Sequence, residues 1–76
     1  MIKKIINYIK DPLFKIIYVN NSVNIVNYDN ILEVTSEAVT LEKEKKIIII
    51  KGKNLKIDKL MEKEVLVTGV ILKIEL

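Results

Sequence analysis

Two runs near the C-terminus, Lys51-Gly52-Lys53-Asn54-Leu55-Lys56-Ile57 and, after a short charged link, Glu64-Val65-Leu66-Val67-Thr68-Gly69-Val70-Ile71-Leu72-Lys73-Ile74-Glu75-Leu76, decide the fold class. Aliphatic and β-branched residues interleave with charged ones, and Gly and Asn punctuate them, which is the pattern of short strands and turns. Neither run contains His, Cys or Ser. The segment is structural in character, and it sets the period against which the rest of the chain is read.

Toward the N-terminus the same pattern continues. Residues 14–19, 23–27, 31–35, 39–43 and 47–51 are further β-branched runs, which with 55–58, 65–68 and 70–76 make the expected strands. The breaks Asn20-Asn21, Asp29-Asn30, Ser36-Glu37, Glu44-Lys45 and Gly52-Lys53 carry residues that accept positive φ or bond their own backbone. Asn27, Asn30, Gly52, Asn54 and Gly69 are the candidate turn residues. Gly69 marks a bulge or tight bend, or admits a second backbone closely. Evenly spaced short strands predict an all-β fold: a small antiparallel β-sandwich, immunoglobulin-like or a roll, with a β-solenoid as the alternative.

Alternation assigns the faces. Val23 with Ile25, Val39 with Leu41, Leu55 with Ile57, and Val70 with Leu72, Ile74 and Leu76 form the expected core. The run Ile47-Ile48-Ile49-Ile50 does not alternate, and Val26, Leu66 and Ile71 add apolar groups on the other face. A second apolar face needs a cover, either the N-terminal segment or another molecule. Ile48, Ile50, Leu66 and Ile71 are therefore candidate interaction residues, joined by Tyr28 in the polar loop Asn27-Tyr28-Asp29-Asn30, whose other and favoured reading is half-buried packing.

Ahead of the strands, Ile2, Ile5, Ile6 and Ile9 fall at i, i+3, i+4 and i+7 with lysines between them, and Pro12 follows. That spacing predicts a short amphipathic helix over residues 1–12, ended by the proline, before a single β domain over 13–76. Ile2, Ile5 and Ile9 are its candidate contacts. The helix either packs over an open end of the sheet or lies on an anionic membrane surface through Lys3, Lys4 and Lys10.

Composition narrows the function classes. The chain has 76 residues, a net charge of +3, no Cys and no His, and all its basic residues are lysines. Absence of arginine counts against sequence-specific nucleic-acid recognition, because the bidentate fork is missing. Without His there is no triad for Ser22 or Ser36 and no imidazole metal site. Asp58, Glu62 and Glu64, and the pair Glu42 and Glu44, are flanked by lysines as in a solvated surface. Lys51-Gly52-Lys53-Asn54 lacks the spacing of a phosphate loop. The expectation is a non-enzymatic protein with no metal and no cofactor. No run of about 18 apolar residues and no signal-peptide pattern is present, so the expected location is the cytoplasm.

The order of these elements resembles the YabP/YqfC family of small sporulation proteins of endospore-forming Firmicutes. The resemblance covers roughly residues 16–76 and rests on three places: Asn27-Tyr28-Asp29-Asn30-Ile31-Leu32-Glu33, Gly52-Lys53-Asn54-Leu55, and the closing Lys63-Glu64-Val65-Leu66-Val67-Thr68-Gly69-Val70-Ile71-Leu72-Lys73-Ile74-Glu75-Leu76. Tyr28 stands where the family carries His, and Asn30 where it carries Gly. The resemblance implies a sandwich-like β domain and a non-enzymatic, structural role in spore formation, in the mother cell and beside a membrane-protein partner. Self-association is the other way to cover the second face. The alternative class is a small binding module for an anionic membrane surface or nucleic acid.

Overall fold

The computed structural model describes residues 10–76. The helix expected over residues 1–12, with Ile2, Ile5 and Ile9, lies outside the described residues except for its last three. Those three are irregular: Pro12 occupies the second position of a turn that the Phe14 N–H closes onto the Asp11 carbonyl at 3.2 Å.

Six strands follow: β1 (Lys15–Val19), β2 (Ser22–Val26), β3 (Asn30–Val34), β4 (Ala38–Lys43), β5 (Lys46–Met61) and β6 (Glu64–Glu75). They form one open antiparallel sheet in the order β1-β2-β6-β5-β4-β3. All five ladders are antiparallel, which overturns the solenoid alternative, whose coils stack in parallel. The fold is all-β, and the described residues contain no helix long and apolar enough to cross a membrane.

Eight expected strands became six because Gly52-Lys53 and Gly69 do not end strands; each lies inside a long one. The β5–β6 ladder shifts register at Lys51/Gly52, Lys53/Lys56 and Ile57/Lys59, so its two strands bend together. At that knee a Cβ on Gly52 would stand 2.0 Å from the Val70 carbonyl oxygen, and one on Gly69 would stand 2.6 Å from the Asn54 oxygen. Gly69 also holds φ +136°, and Asn54 opposite has φ 54°. Glycine here serves both the bend and the close approach of two backbones.

The three-residue link from β2 to β3 forces the sheet to fold over. In a flat sheet β2 and β3 would be four strand spacings apart, roughly 19 Å. Four Cα–Cα steps, from Val26 to Asn30, reach at most about 15 Å. The sheet therefore curls until its two wings meet at this end, where the Asn27 N–H bonds the Lys63 carbonyl and the Asp29 N–H bonds the Glu42 carbonyl. Val23, Ile25, Val39, Leu41, Ile48, Ile50, Val65 and Val67 share the resulting core with almost no exposure. Each contributes roughly 1.5–3 kcal/mol by leaving water, so this cluster is the main stabilising term.

The observed core corrects several face assignments. Ile48 and Ile50 point inward, leaving Ile47 and Ile49 outside. Ile71 packs against the core, because it lies on the same side of β6 as the buried Val65 and Val67, opposite Gly52. Val70, Leu72 and Leu76 are exposed instead of buried: Val70 lies on the side of β6 away from Val65, Val67 and Ile71, Leu72 is the extra residue of a bulge, and Leu76 lies past the end of the strand.

Candidate functional site

Two features stand apart from an ordinary small sheet: a polar clasp at the end where the wings meet, and a set of core-facing side chains left open at the strand edges.

The clasp is built on Lys43. It follows Val39 and Leu41 at i+2 spacing on β4, so the pleat turns it toward the core, and it is 6% exposed. Its Nζ donates to Asp11 Oδ2 at 2.8 Å and lies 3.5 Å from Asp29 Oδ1. Asn27 Nδ2 donates to the same Asp11 oxygen. The Asp11 carboxyl is held below its ordinary value, chiefly by the hydrogen bond from Lys43, and the Lys43 ammonium is raised above its own by that bond. Asp29 is lowered first by the Glu44 backbone N–H, which it accepts at 2.8 Å.

Glu44 completes the arrangement. Glu44 and Lys45 form the β4–β5 turn with φ 53° and 65°, unusual for residues that are neither Gly nor Asn. The Glu44 carboxylate accepts the backbone N–H groups of Lys10 and Asp11, both at 2.9 Å. The segment preceding β1 is thereby tied to a turn more than thirty residues away. Every carboxylate in the clasp is occupied by donors from the chain itself, so the cluster fastens the end of the fold. Among the described residues no group of three His, Cys, Asp or Glu side chains could hold a metal ion.

Tyr28 closes the same end. At 6% exposure it is a core residue, with burial raising its hydroxyl pKa, so of the packing and contact readings the structure shows packing. Asn27 (φ 71°) is a true left-handed turn position, whereas Asn30 is the first residue of β3, its Nδ2 bonded to Glu42. Of the remaining interaction candidates among the described residues, Leu66 alone lies on the outer face, half-buried and opposite Asn24; Ile48, Ile50 and Ile71 belong to the core.

The open edges were not foreseen. Directly paired residues of neighbouring strands point to the same face. Tyr18 pairs with Val23, Val34 with Val39 and Leu60 with Val65, and all three partners are fully buried. Yet Tyr18, Val34 and Leu60 are 56%, 47% and 62% exposed, because each sits on a strand edge with no further strand beyond it. Leu32 and Leu72 are likewise exposed at bulged edge positions. One shallow depression of about 170 Å³, lined by Tyr18, Ile71, Leu72, Lys73 and Ile74, brings the β1 edge to the free half of β6. Another of about 170 Å³, on the outer face, is lined by Asn24, Lys59, Met61, Glu64 and Leu66. Both fall below the several hundred Å³ of a typical small-molecule site.

No family model, curated protein or solved structure matches this chain.

Proposed function

We propose that this chain is a non-catalytic interaction domain of the YabP/YqfC type, acting in spore formation in the mother cell beside a membrane-protein partner. The sporulation assignment rests on the motif resemblance at Asn27-Tyr28-Asp29-Asn30, Gly52-Lys53-Asn54-Leu55 and the closing strand. The interaction role rests on one observation: core-facing apolar side chains stand open at the sheet edges, at Tyr18, Val34 and Leu60. An edge of this kind offers a partner both unpaired backbone groups and apolar surface. On this reading the two wings of the folded sheet act as the layers of a sandwich, and a protein partner completes one of the open margins.

The test is genetic with a physical control. In a spore-forming host carrying this gene as its only copy, Leu60→Lys should abolish mature spores while the purified variant keeps its far-ultraviolet spectrum and melting temperature, since Leu60 is largely in water already. Normal sporulation by that variant would contradict the proposal.

A further inference from the structure

Among the described residues the folded sheet has four free margins: β1, β3, the second half of β5 from Lys56, and the second half of β6 from Val70. Exposed strand edges are normally guarded by bulges or charges, which stop a second strand from adding on. Three of the four margins have such guards. The β3 ladder skips Leu32, the β5 margin is interrupted at Asp58 between two lysines, and the β6 margin bulges at Leu72 beside Lys73 and Glu75. β1 has none. It pairs with β2 through five consecutive residues without a register shift, and after Lys15 it reads Ile16-Ile17-Tyr18-Val19, of which the last three are exposed.

We propose that β1 is a self-association edge, at which a second copy of this chain adds its own β1 antiparallel, with Ile17 on the two-fold axis. Backbone geometry selects that register. The two-residue turn Asn20-Asn21 makes Val19 and Ser22 a hydrogen-bonded pair, and bonded pairs alternate along an antiparallel ladder. Lys15, Ile17 and Val19 therefore direct their N–H and C=O groups at β2, while Ile16 and Tyr18 direct theirs outward. Centring on Ile17 sets Ile16 opposite the second copy's Tyr18 and Tyr18 opposite its Ile16, so all the outward groups of both strands pair. The same register juxtaposes an aromatic with a β-branched side chain, a favourable cross-strand combination. It also sets Lys15 against Val19 and leaves the two Lys15 residues roughly 14 Å apart along the strands, beyond a physiological Debye length of about 8 Å. The added strand lies along the depression lined by Tyr18, Ile71, Leu72, Lys73 and Ile74, so Tyr18 and Leu72 lose water as well. This edge and its occupant do not depend on the sporulation assignment.

Sedimentation equilibrium of the full chain, from about 10 μM to about 1 mM, the range suited to a small interface, tests the proposal. The average mass should rise with concentration from 8.8 kDa toward twice that value. Ile17→Lys, which sets two lysines face to face on the axis, should raise the dissociation constant at least tenfold, whereas Leu32→Lys on the opposite edge should not change it. A chain that stays monomeric throughout, an Ile17→Lys variant that associates like the parent, or a Leu32→Lys variant weakened as much as Ile17→Lys would each overturn the proposal. Should Ile17→Lys melt early, the unmodified chain decides: amide exchange at Ile16 and Tyr18 slowing as concentration rises supports the pairing, and exchange independent of concentration overturns it.

Discussion

Lys43 is the residue whose environment departs furthest from what its type suggests. A lysine side chain seldom leaves water without a partner, and here the partner is Asp11, delivered by the segment ahead of β1. Its burial was legible in principle, since Val39, Leu41 and Lys43 share one face of β4. Asp11 as its partner was not, because nothing local links residues 32 positions apart in sequence. The pH response follows from the shifts. Asp11 and Asp29 have folded values below 3.8, so their contribution is complete above that value and is lost as pH falls through the folded values. Lys43 has a folded value above 10.5, so its contribution is complete below that value and is lost as pH rises beyond it. Glu75, lowered from 4.5 chiefly by the hydrogen bond from Lys73, and Tyr28, raised from 10.0 by burial, narrow the plateau, so the melting temperature should be flat from about 4.5 to about 10.0. By carbon NMR the Asp11 carboxyl should titrate below 3.8, and Lys43→Met should move its midpoint upward; an unchanged midpoint would remove the ion pair from this account.

At the scale of elements, the chain's hairpins were legible and its long strands were not. Asn20-Asn21, Ser36-Glu37 and Glu44-Lys45 connect the strands they were expected to connect, because turn chemistry and alternation agree there. Gly52 looked like the other turns, since a glycine between two strand runs has the same local signature whether the chain reverses or only bends; Gly69 reads in the sequence as a bulge, tight bend or close backbone approach, and the knee has the bend and the close approach. The difference lies in the pairing across the ladder, where Gly69 faces Asn54 and Leu55, and that pairing is non-local. Alternation from Val65 and Val67 carries Ile71 inward, and the register shift at Lys51/Gly52 leaves Leu72 as an extra residue facing out. Gly69→Ala would bring a Cβ against the Asn54 carbonyl at a φ that L-residues avoid, and should destabilise the fold by about 2 kcal/mol or more. Chemical denaturation measures this directly, and a change within about 0.5 kcal/mol, the range of an ordinary surface substitution, would mean that the knee is not as tight as described.

Taken whole, the molecule is one sheet made to enclose its own core. The short β2–β3 link curls the sheet, Tyr28 and the Lys43 clasp close the end where the wings meet, and the glycine knee lets β5 and β6 run through both wings. A chain of 76 residues without disulfides has little reserve of stability, and this one leaves core-facing apolar groups in water at Tyr18, Val34 and Leu60. Alternation in the sequence assigned no face to these three residues. It could not show which strands would be at the edge, because strand order is fixed by pairing between distant segments.

Site-resolved amide hydrogen exchange on dilute protein tests directly whether those edges are open. The account predicts slow exchange, approaching that of global unfolding, at Val23, Ile25, Val65 and Val67, whose amides lie in the β2–β6 ladder, and exchange near that of an unprotected chain at Ile16, Tyr18 and Leu60, whose amides face away from any strand. Comparable protection at both sets in the monomer would contradict it.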